Sequence, residues 1–225
     1  MISICVPVYE MAGQGVKFLA RLLNSIAAQS FTDYETIISD HSIGGEIAAL
    51  CADKPKLRYI RNPNNRGSSS ANLNHAINNA NGGHIKIILQ DDFLAGPEAL
   101  GRMIEKITGS AWLVHAYWHT DIAGQTRFQP TQPFIPDDHA TLLQTNSIGA
   151  PTAIMFQKNE LRFDENLIWF MDCEFYFRLL QNFGPPVIIT DPLAVQTLWP
   201  GQLTHKLTAD VKQREAEYIQ NKYGF

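Results

Sequence analysis

Three short clusters of polar residues stand directly after apolar runs, and chemistry is expected there. They are Tyr9–Glu10, Asp40–His41–Ser42 and Gln90–Asp91–Asp92. Adjacent aspartates after a strand suit a hard divalent ion, because Mg²⁺ takes one or two protein carboxylates and completes its shell with phosphate and water. Tyr9 offers an aromatic face and Asp40 an acceptor. The competing readings are local. Asp91 and Asp92 would cap the loop ahead of Pro97, Asp40 would form a turn before Gly44–Gly45, and Tyr9 would pack on a strand. Convergence favours chemistry. If the three runs are parallel strands, all three clusters leave the sheet at one edge, where open α/β sheets bind ligands.

The elements that must hold these clusters follow from periodicity. Strands are expected over 2–8, 36–39, 57–60 and 85–89, and helices over 14–29, 46–52, 68–80 and 97–108. In the first helix Val16, Leu19, Leu22, Leu23 and Ile26 recur at helical spacing. The alternation predicts a parallel sheet with crossover helices. Further on, strands are expected over 112–118, 152–157, 187–189 and 194–198, and helices over 172–182 and 207–222. Between them, 126–151 is an irregular stretch with four prolines, and a connection of that length predicts a binding or lid role. No repeat or linker interrupts the chain.

Bulk properties exclude other classes. The chain has 225 residues with 18 Lys plus Arg against 22 Asp plus Glu, a net charge of −4. It carries no basic block for nucleic acid. Three cysteines without a CxxC pair indicate neither a disulfide framework nor a zinc site, and they fit a reduced cytoplasmic compartment. The N-terminus reads as a strand, not a signal peptide, and no apolar run reaches the ~18 residues of a membrane span. The expected location is cytoplasmic or peripheral at a membrane surface. Charged residues make up 18%, against about 25% in an ordinary domain. The polar surface must then rest on Asn, Gln, Ser and Thr more than on charge. Neither a GxGxxG turn nor a P-loop is present.

In order along the chain, ISICVPVYE, LLNSIAAQSFTDYETIISDHS, NNRGSSSANLNHAINNANGGHIKIILQDD and WFMDCEFYFRLL resemble four segments of glycosyltransferase family 2. These are inverting nucleotide-sugar enzymes of GT-A fold. The resemblance implies a single α/β domain with a mixed, mostly parallel sheet flanked by helices. Residues 1–95 would form the nucleotide-sugar half and 96–225 the acceptor half, with no length left for a second domain or anchor. It implies a donor site of Pro7, Tyr9, Glu10, Asp40, Asn65, Asn74 and Asp91, with Tyr9 stacked on a pyrimidine and Asp40 accepting its imide N–H. Asp92 would hold Mn²⁺ or Mg²⁺, and Asp172 would be the general base. The donor would be a nucleoside-diphosphate sugar, with a UDP-sugar favoured, and the acceptor a glycan or lipid-linked saccharide. A homo-oligomer is compatible.

Other residues have an expected place around this core. Trp169, Met171 and Trp199 would form an acceptor wall, since aromatic faces suit sugar rings, and His205 would reach the metal. Asp172 reads as the cap of its helix, which would lower its pKa and weaken it as a base, with Glu174 as the substitute. Asn65, Asn72 and Asn74 read equally as caps. The chain departs from the family pattern at Glu10, Leu73 and Leu89, and those departures motivate an alternative, a catalytically inactive nucleotide-sugar-binding protein. A sugar-1-phosphate nucleotidyltransferase would need an Arg in MAGQGVK.

Overall fold

The first strand shows how the sheet is buried. In β1 (Ile2–Val8), Ile2, Ile4, Val6 and Val8 join one apolar cluster and Cys5 the opposite one, the two-residue alternation of a strand covered on both faces. A computed structural model describes residues 1–224. It contains β2 (Tyr34–Asp40), β3 (Leu57–Arg61), β4 (His84–Ile87), β5 (Phe93–Leu94), β6 (Trp112–Thr120), β7 (Arg127–Thr131), β8 (Ile154–Gln157) and β9 (Val187–Thr197). The helices are α1 (Gly15–Ala27), α2 (Glu46–Cys51), α3 (Ser69–Asn78), α4 (Ala99–Lys106), α5 (Met171–Phe183), α6 (Leu203–Lys206) and α7 (Ala209–Tyr223). The sheet order is β3-β2-β1-β4-β8-β6-β9-β5, with β7 on β6.

The pairings make β1, β2, β3, β4, β6 and β9 run one way, while β5, β7 and β8 oppose them. The expected mixed, mostly parallel α/β sheet is therefore present. Helices α1, α2 and α4 cover one face, and α3, α5 and α7 the other. In α1 the buried Phe18, Leu19, Leu22, Leu23 and Ile26 follow the spacing seen in the sequence.

Three features differ from the expectation. The two short strands at 187–189 and 194–198 are one strand, β9. Its register against β6 shifts between His115 and Tyr117, so Pro192 lies in a bulge, where its missing N–H costs no ladder bond. The 126–151 stretch contains β7 and a short 3₁₀ turn at His139–Leu143. Strand β5 has only two residues, too few to show a period.

Candidate functional site

Parallel register brings the polar clusters to one edge. Val8 pairs with Asp40, and Cys5 with Ile87, so Tyr9, Asp40 and the 88–92 segment leave the sheet side by side. The Tyr9 N–H donates to Gln90 Oε1 at 2.9 Å, and Gln90 Nε2 donates to the Gly15 carbonyl at 2.9 Å. This stitching needs a glycine, since a Cβ at Gly15 would lie 2.4 Å from the Tyr9 carbonyl. Tyr9 is 41% exposed, a free aromatic face at the edge. Burial, then the negative charges of Asp91 and Glu10, raises its hydroxyl pKa. Pro7 is half-buried beneath. Glu10 accepts from the Ile43 N–H, tying the first edge loop to the second.

Asp40 is not an open acceptor. It is fully buried, Oδ1 takes the Ser42 N–H at 2.7 Å, and Oδ2 takes the Tyr59 hydroxyl at 2.6 Å with Arg61 at 3.5 Å. Both oxygens already accept, so a nucleobase N–H expected here would share one of them.

The acid pair is also more enclosed than its sequence context implies. Asp92 accepts from Thr152 Oγ1 at 2.5 Å and from the Thr197 N–H at 3.1 Å, so both carboxylate oxygens are engaged. Asp91 accepts from Trp199 Nε1 at 2.8 Å through Oδ2 only. No other described residue donates to Oδ1. Burial raises the pKa of both, with Asp91 adding repulsion at Asp92, against the pull of Arg21. Arg21 lies on α1, donates to the Asp91 carbonyl at 2.8 Å and to Thr197 Oγ1 at 2.6 Å, and packs on Phe93. Nothing in the sequence marks it, because its role depends on α1 meeting the end of β9. Lys86 lies deeper, donating to the Thr152 and Ile154 carbonyls and contacting His115 Nε2 at 2.8 Å.

Which of these residues suit a divalent ion follows from their free oxygens. Among the described residues no group of three or more His, Cys, Asp or Glu is arranged as a metal cage. One open carboxylate oxygen on Asp91 fits an ion that takes its remaining ligands from diphosphate and water. Both Asp92 oxygens already accept one hydrogen bond, from Thr152 and from Thr197, and each keeps a second lone pair that an ion could use.

Asp172 is in the first turn of α5, one residue past the helix start rather than at the cap. Oδ1 takes the Cys173 N–H at 2.8 Å and Oδ2 takes Asn146 Nδ2 at 2.7 Å. No cation pairs with it among the described residues. Burial pushes its carboxyl up to about 6, against those hydrogen bonds. The expected lowering by a cap position is therefore reversed, because desolvation outweighs the helix terminus. Asn146 comes from the 126–151 stretch, which thus contributes to this site. Its turn closes at Gly149, where φ is 110° and a Cβ would meet the Tyr117 hydroxyl at 2.4 Å. Burial raises the pKa of Tyr117, and the charges of Asp92 and Asp172 add to the rise.

Glu174 is not a substitute base. It is fully buried and accepts from Arg178 at 2.7 and 2.8 Å, Lys222 at 2.8 Å and Tyr223 at 2.6 Å. Burial pushes its carboxyl up, yet these partners outweigh burial and hold it below its ordinary value. Its contribution to stability is thus full above the unfolded carboxylate pKa and is lost as pH falls through the lower folded value. Glu174→Ala strands Arg178 and Lys222 and is expected to cost about 3 kcal/mol in urea unfolding at neutral pH. A loss below ~1 kcal/mol, the range of an exposed pair, would refute this structural role.

Several expected site residues lie elsewhere. Asn74 accepts from the Phe163 N–H and donates to the Phe163 carbonyl, both at 2.8 Å, and to Glu165 at 3.0 Å. Asn65 donates to Glu165 at 2.9 Å. Asn74 pins the 163–165 segment to α3 and Asn65 ties it to the loop before α3, and neither hydrogen-bonds the acid pair. Asn72 is a buried hub for Ser39, Asn62 and the Val8 carbonyl. Trp199 is 7% exposed and packs on Phe18 at 5.2 Å, serving Asp91 rather than an acceptor wall. Met171 is buried against Ser70. Trp169 is half-exposed with Lys212 Nζ 3.8 Å above its ring. His205 is exposed on α6, without a side-chain partner among the described residues.

Comparison with known proteins gives the same architecture. The sequence profile of "Glycosyl transferase family 2" matches residues 3–173. No curated protein matches the chain in sequence. Among solved structures, S. aureus TarS residues 1–349 with UDP aligns with a TM-score of 0.68 at 20% identity, covering 100% of this chain and 72% of that one. The same protein with UDP-GlcNAc gives 0.72 at 19%, covering 98% and 66%. The mannosyltransferase PcManGT of Pyrobaculum calidifontis, in complex with GDP-Man and Mn²⁺, gives 0.58 at 16%, covering 88% and 56%. The chain thus spans just under two thirds of the second and little more than half of the third. At these identities the likeness is one of fold.

Proposed function

The chain belongs to glycosyl transferase family 2 and is a glycosyltransferase, and from that premise we propose that it moves a sugar from UDP to a hydroxyl of a glycan or lipid-linked acceptor, with inversion and with a divalent metal. The observation that carries the reading is Asp172: a carboxylate raised to about 6, held by Asn146 and free of any ion pair among the described residues. A general base works best with a pKa near the operating pH.

Asp172 takes the acceptor proton as the acceptor oxygen forms its bond to the anomeric carbon. The bond from that carbon to the nucleoside diphosphate breaks on the opposite face, which inverts the centre. Asp91, with Asp92 behind it, would hold Mn²⁺ or Mg²⁺, which supplies charge neutralisation for the departing diphosphate. Arg21 keeps the segment carrying the pair in place. Tyr9 offers its exposed face for stacking on the base, above the floor built by Asp40, Glu10 and Pro7. Residues 1–95 then serve the donor, and 96–225 bring the base and the acceptor side. The uridine assignment is supported by the ligands of the TarS structures, UDP and UDP-GlcNAc.

A thermal-shift panel of UDP, GDP, dTDP and CMP, each with and without Mn²⁺, tests the donor class. The expected result is the largest shift with UDP and a clear gain from Mn²⁺. A GDP preference overturns the uridine assignment. Equal shifts without metal overturn the metal role.

A further inference from the structure

We infer that Glu215 on the terminal helix is a positioning residue for Asp172, a proposal that rests on the reading of Asp172 as the base. The start of α5 lacks a local cap. Phe170 stands at the cap position and its side chain makes no capping bond. A helix start leaves backbone N–H groups without partners, and these must be met from elsewhere. The Asp172 carboxylate is already spent on Cys173 and Asn146. Glu215, from another helix, meets the Phe170 N–H at the cap position and the two amides just ahead of it. It is 6% exposed. Its Oε1 accepts the Ile168 N–H at 2.8 Å, and Oε2 accepts Trp169 N–H at 2.8 Å and Phe170 N–H at 3.0 Å. Three successive amides converging on one carboxylate form an anion nest, filled here by the protein itself. The negative charge also lies at the favourable end of the α5 dipole.

The same helix holds the flanks of the segment. Lys212 covers the Trp169 ring, Tyr218 donates to Asp164 at 2.8 Å, and Lys222 reaches Asp164 and Glu174. Among the described residues of α7, Glu215 alone hydrogen-bonds the backbone two to four residues ahead of Asp172. The family profile ends at residue 173, so α7 lies outside the matched region. Replacing the carboxylate by an amide leaves one acceptor for three donors and turns an NH₂ group toward N–H groups. The turn must then shift, and a base displaced by ~1 Å costs up to about 10²-fold in rate.

The test uses the full chain, with initial rates measured across donor and acceptor concentrations. Glu215→Gln is expected to lower kcat by about 10-fold or more with an unchanged donor KM. Glu215→Asp, which keeps the charge, is expected to recover part of that loss. Lys222→Met loosens α7 without touching residues 168–170, and is expected to lower Tm while preserving kcat. A wild-type kcat in Glu215→Gln overturns the proposal. So does a fall in kcat that merely tracks Tm in both Glu215→Gln and Lys222→Met. Failure of both Glu215 variants to fold marks the residue as a fold anchor and overturns it as well. Asp172→Asn is run in parallel. If that variant retains turnover, the base assignment is what fails. If it loses turnover and Glu215→Gln does not, only the Glu215 proposal fails.

Discussion

Asp172→Asn is expected to lower glycosyl transfer by about 10²–10⁴-fold while leaving donor binding unchanged. The amide is isosteric and can still accept from the Cys173 N–H, so the start of α5 keeps its shape. What disappears is the carboxylate proposed to take the acceptor proton. The pH dependence gives a second signature of the same residue. Burial pushes the Asp172 carboxyl up to about 6. Only the ionised form is a base, so the rate should rise through pH ~6 and level off above it. Below that value the rate falls as the carboxyl protonates. In Asp172→Asn this acidic limb should vanish from the residual rate. Calorimetry with UDP and Mn²⁺ alongside the turnover assay separates the two steps. Near wild-type turnover in the variant would remove Asp172 from the mechanism.

The second large effect is expected at the acid pair, and it orders two neighbouring residues. Asp91→Asn should weaken Mn²⁺-dependent donor binding and turnover by about 10²-fold, the scale of losing one stabilising group at a charged leaving group. Asp91 has the open oxygen. Asp92→Asn should be milder by about tenfold, because the Asp92 oxygens already serve Thr152 and Thr197. An Asn there can still accept the Thr197 N–H and offer its NH₂ to the Thr152 hydroxyl. The comparison is made by calorimetry at fixed Mn²⁺, with thermal unfolding to show that each variant is folded. The reverse order, with Asp92→Asn abolishing metal dependence and Asp91→Asn sparing it, would return the metal to Asp92.

These two predictions differ in what they needed. The family, the strand–helix alternation and the edge at which Tyr9, Asp40 and Asp91 emerge were legible from the chain alone. So was Asp172, through the segment WFMDCEFYFRLL. Hydrophobic spacing is a local property: Leu19, Leu22, Leu23 and Ile26 specify their helix face without reference to the rest of the molecule. β5 and the continuity of β9 were not legible. A two-residue strand has no period, and Pro192 reads as a break until its bulge is seen.

What the sequence determined by itself is thus the architecture and the edge where polar residues gather. The tertiary structure alone decided which of those residues are still free to act. Asp40, Asn74, Asp92 and Glu174 look like ligands in the sequence but are bound to Tyr59, Phe163, Thr197 and Arg178. Arg21, Asn146 and Glu215 carry no signal, yet they hold the acid pair, Asp172 and the turn before it. The physical reason is that a buried polar group must find a partner, and for most of these groups the partner comes from far along the chain. The Asp91–Trp199 bond spans 108 residues and Glu215 reaches back 45 to Phe170. No spacing rule reaches that far. Burial, which lifts Asp172 to about 6 against its helix terminus, exists only once the fold has closed around it.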